Sequence, residues 1–224
     1  MNPKTYRKDF IAFMLEANVL KFGAFTTKSG RLSPYFINTG FFKTGTQIGL
    51  LGEYYAACIA ENMENGSIPK NVDVLFGPAY KGIPLCVATS IALAKNHGIE
   101  LGYCFNRKET KDHGEGGELV GSGIKDGDRV LVIDDVITAG TAIREVLPMI
   151  RNAAKVEISG LIISVDRMER GQGEKSAVEE VESDLGLPVF PIVTVLDILE
   201  HVENEEYRTK IQSYMEKYCT NKVI

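Results

Sequence analysis

The chain lacks several features that define common protein classes. Its four cysteines, Cys58, Cys86, Cys104 and Cys219, are scattered, and no two form a C-x-x-C pair. This argues against a disulfide framework and a zinc site, and favours buried thiols in a reducing compartment. No apolar run approaches the length of a membrane span, and the start MNPKTYRKDF lacks the apolar core of a signal peptide. We therefore expect a cytoplasmic protein with no membrane partner.

Positive charge is not in excess either. Lys and Arg total 25 against 30 Asp and Glu, a net charge of -5, and no basic tract compensates. This balance argues against nucleic acid as a partner. A Gly-x-x-x-x-Gly-Lys-Ser/Thr loop is also missing from the sequence. That absence excludes the most common phosphate loop of nucleotide hydrolases.

What the chain does have is enough apolar sequence for a full core. Its 224 residues are 44% hydrophobic, which suits one domain. Strand patterns alternate with helix patterns, so we expect an α/β fold with a parallel sheet covered by helices on both faces. The predicted strands are 72–76, 101–105, 129–133, 156–165 and 189–193, with a hairpin in 24–38. The predicted helices are 6–17, 48–63, 84–95, 142–150, 177–185, 195–202 and 205–219.

The most informative stretch is VLVIDDVITAGTA, residues 130–142. Its apolar run predicts a buried strand, which ends at two adjacent carboxylates, Asp134 and Asp135. A loop of small residues follows and leads into a helix near Ala142. Main-chain N–H groups of such a loop, together with the helix dipole, favour a phosphate. The two carboxylates can accept hydrogen bonds from the neighbouring hydroxyls of a ribose, so the spacing favours a sugar phosphate.

Two alternatives stay open on spacing alone. The stretch is also compatible with an ordinary strand-to-helix turn capped by Asp and Thr. A strand that ends in two aspartates can equally hold a metal in a nucleotide hydrolase, although the required glycine-rich lysine loop is absent. The residues of this stretch do not decide between these interpretations by themselves.

Other blocks carry a resemblance to a known family. They are LKFG (20–23), KSGR (28–31), SPYF (33–36), FGPAYKGIP (76–84), FNRKE (105–109), KDHGEGG (111–117) and DR (166–167). With the stretch 130–142, these blocks occur in the order found in the type I phosphoribosyltransferases. They most resemble the orotate phosphoribosyltransferase branch of that family and cover about residues 5–200.

This resemblance implies a reaction. The family joins orotate to the ribose of phosphoribosyl pyrophosphate and gives orotidine 5′-monophosphate and pyrophosphate, a step in pyrimidine nucleotide synthesis. It also implies Mg²⁺ held mainly by the substrate pyrophosphate, and a homodimer whose subunits share active sites. Two alternatives are a phosphoribosyltransferase for another base and a regulator that senses phosphoribosyl pyrophosphate without catalysis.

The resemblance further divides the chain into parts. It implies one phosphoribosyltransferase domain over 1–224, with a hood over about 1–40 and a mobile lid loop over 107–117. A helical extension over about 204–224 lies beyond the region of clear resemblance. Positions that match phosphoribosyl pyrophosphate contacts in the family are Lys28, Tyr80, Lys81, Arg107, Lys108, Lys111, His113, Asp134, Asp135, Val136, Ile137, Thr138, Ala139, Gly140, Thr141 and Ala142.

Catalytic and base-binding positions follow in the same way. Lys111 and His113 in the lid are the residues we expect to act in the transition state, as general acid or charge partner. Family contacts to orotate match Lys28, Phe36, Ile37, Thr138 and Arg167. A guanidinium can hold a carboxylate through two hydrogen bonds, and orotate carries a carboxylate that uracil and the purines lack. Family members often have Phe where this chain has Ile37, so this position lacks the ring for stacking but keeps its backbone contacts.

Overall fold

A computed structural model describes residues 2, 5–27, 30–108, 118–137, 140–171 and 173–220. Its strands are β1 (Leu20–Thr26), β2 (Leu32–Ile37), β3 (Val74–Gly77), β4 (Gly102–Asn106), β5 (Leu119–Gly121), β6 (Arg129–Ile133), β7 (Glu157–Asp166) and β8 (Val189–Thr194). Its helices are α1 (Tyr6–Glu16), α2 (Gly45–Glu64), α3 (Gly82–His97), α4 (Thr141–Ala153), α5 (Ala177–Leu185), α6 (Val195–Glu200) and α7 (Glu205–Tyr218). The predicted helices and the predicted strands of the main sheet are all present, with small shifts at their ends.

The main sheet has six strands in the order β5-β4-β3-β6-β7-β8. Neighbouring strands run parallel except β5, which pairs antiparallel with β4. The sequence analysis did not predict β5, because three residues at an edge are too short for a hydrophobic pattern. Gly121 ends this strand at φ +102°, and a Cβ there would lie 2.3 Å from the carbonyl oxygen of Tyr103. Strand β5 therefore approaches β4 closely only because residue 121 is glycine.

Alternating side chains of the sheet build two cores, one on each face. Val74 and Phe76 point to the face covered by α4 and α5, whereas Leu75 points to the face covered by the other helices. Both cores hold residues that are almost fully buried. This agrees with the predicted sheet covered on both sides. The carboxyl ends of the parallel strands thus form one edge, where loops are free to carry a site.

The loop after β3 begins with tight packing against α3. A Cβ on Gly77 would lie 2.2 Å from the carbonyl oxygen of Gly82, so no residue with a β-carbon fits at this position. Gly82 in turn would meet the backbone of Gly77 at 2.7 Å. This glycine pair lets the strand and helix approach closely and holds residues 78–81 at the sheet edge.

The predicted hairpin is present as β1 and β2, which pair antiparallel with Leu20 opposite Ile37. The first strand begins at Leu20 rather than near residue 24, because the pairing continues past an irregularity between Phe22 and Phe25. This pair of strands lies in a separate two-stranded sheet. The hairpin lies within the range 1–40 of the predicted hood, which stays a prediction.

Helix α7 packs on the hairpin and is part of the fold. The ring of Tyr214 meets the ring of Tyr35 edge-on at 5.9 Å. After the helix, Thr220 donates a main-chain hydrogen bond of 3.0 Å to Met168, and Arg170 donates one of 2.8 Å to Tyr218. The end of the chain is therefore joined to the segment that follows β7.

Two expectations about composition can be compared with the structure. All four cysteines are free and buried, as predicted. Across the described ranges, no helix is both long and apolar enough to cross a bilayer.

Candidate active site at the carboxyl edge of the sheet

A cavity of about 300 Å³ lies between the loop after β3 and the loop after β6. The sheet places both loops side by side, because β3 and β6 are neighbours in parallel register. Nine of the predicted site residues line this cavity: Tyr80, Lys81, Asp134, Asp135, Val136, Ile137, Gly140, Thr141 and Ala142. Its other lining residues are Pro78, Ala79, Ile143 and Leu161. Thr138 and Ala139, also predicted here, lie outside the described residues.

Asp135 is the most firmly held group of the cavity. One carboxylate oxygen accepts hydrogen bonds from the Lys81 ammonium at 2.6 Å and the Thr39 hydroxyl at 2.7 Å. The other oxygen accepts from the main-chain N–H of Val136 at 2.8 Å. Ser164 donates both its N–H and its hydroxyl to the carbonyl of Asp135. These bonds fix the carboxylate in one orientation, which a site that holds a hydroxyl group requires.

Asp134 is held by its backbone. Its carbonyl accepts a hydrogen bond of 2.8 Å from the Tyr55 hydroxyl, and its N–H donates to Ile162 at 3.0 Å. Burial, reinforced by the neighbouring Asp135 charge, raises the pKa of Asp134 to about 6. Asp134 is therefore mostly ionised at neutral pH but gains a proton on mild acidification.

The first turn of α4 presents main-chain N–H groups to the cavity. Helices α2, α5 and α6 each follow a Thr or Ser whose side chain accepts an N–H of the first turn. Helix α4 follows Gly140, and no described side chain caps it, as is also true of α1 and α3. Gly140 has φ +65°, and a Cβ there would meet Val181 at 3.0 Å. Uncapped N–H groups and the positive end of the helix dipole make this end suited to an anion.

The loop over residues 78–81 is fixed by a residue that the sequence analysis missed. Asn106, buried at the end of β4, accepts a hydrogen bond of 2.8 Å from the N–H of Ala79. Its amide nitrogen donates to the carbonyl of Arg107 at 3.3 Å. The peptide bond between Ala79 and Tyr80 is cis, and the Tyr80 side chain is exposed. Asn106 thus joins this loop to the base of the predicted lid.

The lid residues are only partly described. The N–H of Arg107 donates to Glu118 at 2.7 Å, and the Lys108 ammonium lies 3.8 Å from the Glu145 carboxylate. Neither residue lines the cavity. The predicted catalytic residues Lys111 and His113 lie outside the described residues.

Arg167 lies in a polar cluster beside the hairpin. Its guanidinium donates to the Glu169 carboxylate at 2.5 Å and lies 5.1 Å from the ring centre of Tyr35. Burial disfavours its charge, but hydrogen bonding with Tyr35 and the negative charge of Glu169 outweigh burial and raise the pKa of Arg167 further. Arg167 is therefore a permanent cation. It does not line the cavity described above.

The other predicted base contacts lie on β2. The Phe36 ring packs against Phe25 at 5.4 Å, and Ile37 packs against the core. Side chains alternate along the strand, so Phe36 and Tyr35 lie on opposite faces of the hairpin. Neither Phe36 nor Ile37 lines the cavity, and Lys28 lies outside the described residues.

Residues that support the site were harder to predict than residues that line it. Asn106 directly precedes Arg107 in a matched block, so its position at a strand end was an available signal. Glu169 lies two residues after Arg167 and was available in the same way. Thr39 carried no signal, because its contact with Asp135 joins residues 96 positions apart.

Among the described residues, no group of three or more His, Cys, Asp or Glu side chains is placed to hold a metal ion. Asp134 and Asp135 offer carboxylate oxygens at the cavity, and such oxygens suit Mg²⁺ or its bound waters.

Comparison with known proteins shows which family the chain matches. Residues 52–198 match the family model for a phosphoribosyl transferase domain. An orotate phosphoribosyltransferase of Clostridium beijerinckii is 54% identical over 203 residues, which are 91% of this chain and 88% of that protein. One of Bifidobacterium adolescentis is 51% identical, over 93% of this chain and 96% of that protein. The crystal structure of the Francisella tularensis orotate phosphoribosyltransferase matches with a TM-score of 0.82 at 39% identity, covering 95% of this chain and 100% of that one.

Proposed function

The chain belongs to the orotate phosphoribosyltransferase family, and from that premise we propose which of its residues carry the reaction. It is a glycosyltransferase that moves the 5-phosphoribosyl group from phosphoribosyl pyrophosphate to orotate. The products are orotidine 5′-monophosphate and pyrophosphate. One observation carries the assignment of residues: the cavity sets two aspartates beside the uncapped start of α4.

The 5-phosphate binds at the start of α4. Main-chain N–H groups near Gly140, Thr141 and Ala142 donate to it, with Val136 and Ile137 closing the side of the loop. The predicted contacts at Thr138 and Ala139 complete this loop. A phosphate there meets a positive helix end and unpaired donors, which is the arrangement that helix N-termini offer to anions.

Asp134 and Asp135 hold the ribose hydroxyls. Both carboxylates line the cavity next to the phosphate site, and Asp135 is already oriented by Thr39 and Lys81. Their negative charge also stabilises positive charge that develops on the sugar ring as the bond to pyrophosphate breaks. We propose a displacement through an oxocarbenium-like state at the anomeric carbon.

We propose that the leaving pyrophosphate is bound by the loop after β3 and by cations of the matched family blocks. Tyr80 and Lys81 line the cavity there, and Arg107, Lys108 and Lys28 lie in matched family blocks. Lys111 and His113 of the lid supply the charge or proton that the leaving group needs in the transition state. Closure of the lid would exclude water from the activated ribose.

Mg²⁺ is proposed as the cofactor. When bound it neutralises pyrophosphate charge, and the substrate oxygens provide most of its ligands. Asp134 and Asp135 are the described side chains whose oxygen chemistry suits its remaining waters. Removal of Mg²⁺ with a chelator is expected to abolish turnover, and added Mg²⁺ is expected to restore it.

Orotate is oriented by Arg167 and the hood. Arg167 is a permanent cation that suits a carboxylate, and Phe36, Ile37, Lys28 and Thr138 complete the matched base contacts. Substitution Arg167→Ala is expected to raise the KM for orotate about 100-fold, while the KM for phosphoribosyl pyrophosphate stays within threefold. Equal increases in both constants would contradict a role in reading the carboxylate.

We further propose a cytoplasmic homodimer with shared active sites, working in pyrimidine synthesis. Four free, buried thiols suit a reducing compartment. A mixture of Lys111→Ala and Asp135→Asn subunits tests the shared sites, because a heterodimer can then form one intact site. Recovered activity supports sharing, whereas proven heterodimers without recovery would show that each subunit is complete.

The proposed activity itself is tested by turnover. Purified protein with phosphoribosyl pyrophosphate, Mg²⁺ and orotate should form orotidine 5′-monophosphate and release equal pyrophosphate. Uracil, adenine and hypoxanthine serve as competing bases in the same assay. Faster turnover with one of these would favour a transferase for another base, and no release with any base would favour a sensor of phosphoribosyl pyrophosphate.

A further inference from the structure

We propose that Glu169 is a positioning residue for orotate binding, and that through it the C-terminal helix α7 and the hairpin fix the guanidinium of Arg167. The inference rests on the proposed role of Arg167 in binding the orotate carboxylate. It gives the C-terminal helix α7 a role in orotate binding, and no sequence motif predicted that role.

Three donors meet on a single oxygen of Glu169. The Arg167 guanidinium donates at 2.5 Å, the Tyr214 hydroxyl at 2.9 Å and the Tyr35 hydroxyl at 3.3 Å. The three donors come from the loop after β7, from α7 and from β2. Glu169 therefore joins three distant segments at the side chain that is proposed to read the base.

The tyrosines act as donors and not as competing anions. Burial raises the pKa of Tyr214 to about 12, and burial also raises the pKa of Tyr35 well above its ordinary value. Both hydroxyls therefore keep their protons over the working range of pH. Since the Tyr35 ring also lies 5.1 Å from the guanidinium, Arg167 is held both at its edge and on its face.

Arg167 keeps donors for a ligand while it is held in this way. A guanidinium has five N–H groups, and the Glu169 carboxylate uses one nitrogen of the fork. The Arg167 Nε is buried and has no hydrogen-bond partner in the described part of the chain. A buried donor without a partner is unfavourable. The Arg167 side chain as a whole is 27% exposed, so part of the guanidinium remains open to a ligand.

The end of the chain supports Glu169 directly. Glu169 forms an isolated β-bridge with Cys219, immediately after α7. The flanking residue Met168 accepts the N–H of Thr220 at 3.0 Å. The end of the chain thus holds the backbone at Glu169 through main-chain bonds and the Glu169 side chain through the Tyr214 hydroxyl.

Two effects of Glu169 on orotate have opposite signs. An ordered guanidinium loses less freedom when it binds orotate, which tightens binding. A carboxylate beside the same guanidinium competes for its charge, which weakens binding. Because the N–H groups away from Glu169 stay available, we infer that ordering prevails. Loss of Glu169 should then weaken orotate binding.

The main variant is Glu169→Gln, which keeps the size of the side chain and removes its charge. We expect the KM for orotate to rise about 10-fold, with kcat and the KM for phosphoribosyl pyrophosphate within twofold. Glu174→Gln is the matched control, because that carboxylate lies in the same segment and is exposed. A fall in the orotate KM, or no change, would overturn the proposal.

A double-mutant cycle separates positioning from general support of the fold. If Glu169 acts through Arg167, Glu169→Gln should add less than twofold to the orotate KM in an Arg167→Ala background. The same 10-fold increase in both backgrounds would overturn the proposal. If Arg167→Ala alone leaves the orotate KM unchanged, the role of Arg167 fails and the inference fails with it. If Arg167→Ala raises the KM but Glu169→Gln does not, only the inference fails.

A second, milder pair of variants tests the proposal if Glu169→Gln fails to fold. Tyr214→Phe removes one donor to Glu169 and should raise the orotate KM about threefold. Tyr207→Phe, on the same helix, is the control, since its ring stacks on Phe22 and its hydroxyl has no hydrogen bond among the described residues. Equal orotate KM values for the two variants would contradict the connection through α7.

Discussion

The two halves of the proposed site are built in different ways. The phosphoribose side consists of the loops 78–81 and 134–142, each of which directly follows a strand of the main sheet. The base side consists of Tyr35, Arg167, Glu169 and Tyr214, which meet only after the chain has folded. Short local motifs in the sequence predict the first side, whereas the second side is formed by tertiary packing.

The two sides also use different donors. On the phosphoribose side, main-chain N–H groups at the start of α4 face the cavity, and Asp135 is fixed by three segments. On the base side, one guanidinium supplies the charge and a neighbouring carboxylate orients it. The path of the backbone fixes the positions of main-chain donors, so substitutions that shift the backbone should change binding most. Side-chain donors can adjust, so substitutions around them should have smaller effects.

Among substitutions of residues that offer no side-chain contact to a substrate, the largest effect is expected from Gly140→Ala. Residue 140 has φ +65°, which strains a residue with a β-carbon, and a Cβ would press on the Val181 side chain at 3.0 Å, so we expect alanine to displace the start of α4. A displaced phosphate site should raise the KM for phosphoribosyl pyrophosphate about 100-fold, as expected for a misplacement near 1 Å. Steady-state kinetics with each substrate varied would measure this.

Gly186→Ala is the matched control for Gly140→Ala. Gly186 also has a left-handed backbone, at φ +62°, but nothing lies within 4 Å of a Cβ there. Both variants should lose about 1 kcal/mol of unfolding free energy. Only Gly140→Ala should change substrate binding. Similar kinetics for the two variants would remove the distinction between the two sides of the site.

A smaller effect is expected from Asn106→Ala. The substitution leaves the N–H of Ala79 without its partner, so the loop that carries Tyr80 and Lys81 should loosen. We expect kcat/KM for phosphoribosyl pyrophosphate to fall about 20-fold, which matches the loss of one buried hydrogen bond. The orotate KM should stay within twofold. Asn62→Ala removes a comparable amide–carbonyl bond in α2 and should leave both constants unchanged.

The smallest effect is a pH dependence on the phosphoribose side. Burial and the neighbouring Asp135 raise the pKa of Asp134 to about 6. Only the ionised carboxylate, which carries no proton, accepts hydrogen bonds from the ribose hydroxyls in the proposed way. Between pH 7 and pH 5.5, kcat/KM for phosphoribosyl pyrophosphate should therefore fall about fourfold through this group. In Asp134→Asn this fourfold part of the drop should be absent, and only the part caused by titration of the substrate phosphate should remain. An identical drop in the variant would contradict the role of Asp134.

The same pKa has a consequence for folding. Because the folded state holds the Asp134 proton more tightly than the unfolded state, the contribution of this group to stability falls as pH rises from about 4 to about 6. Asp134→Asn should reduce that fall, measured as the unfolding free energy in denaturant at each pH. An unchanged dependence on pH would mean that Asp134 is not buried as described.

Most of the fold could be predicted from the sequence. The predicted strand 129–133 is identical to β6, and the predicted helix 177–185 is identical to α5. Both segments have a strong hydrophobic period and clear ends, since α5 begins at Ser176 with Glu179 in the third position and ends before Gly186. The edge strand β5 was missed because its pairing with β4 is a tertiary contact and carries no local pattern.

The site divides in the same way. Asp134, Asp135 and Gly140 were predicted because their spacing after an apolar run has a chemical meaning by itself. Glu169 was missed because its partners lie 45 residues away at Tyr214 and 134 away at Tyr35. No single stretch of sequence shows that these side chains meet. Local chemistry thus predicts the phosphoribose side, whereas the contacts that hold Arg167 on the base side are seen only in the folded chain.

The most direct test of this division is a crystal structure of the protein with orotidine 5′-monophosphate bound. We predict the 5′-phosphate within hydrogen-bond distance of main-chain N–H groups at the start of α4, the ribose hydroxyls on Asp134 and Asp135, and the base carboxylate on Arg167. A phosphate bound at any other surface, or a base carboxylate far from Arg167, would contradict the account.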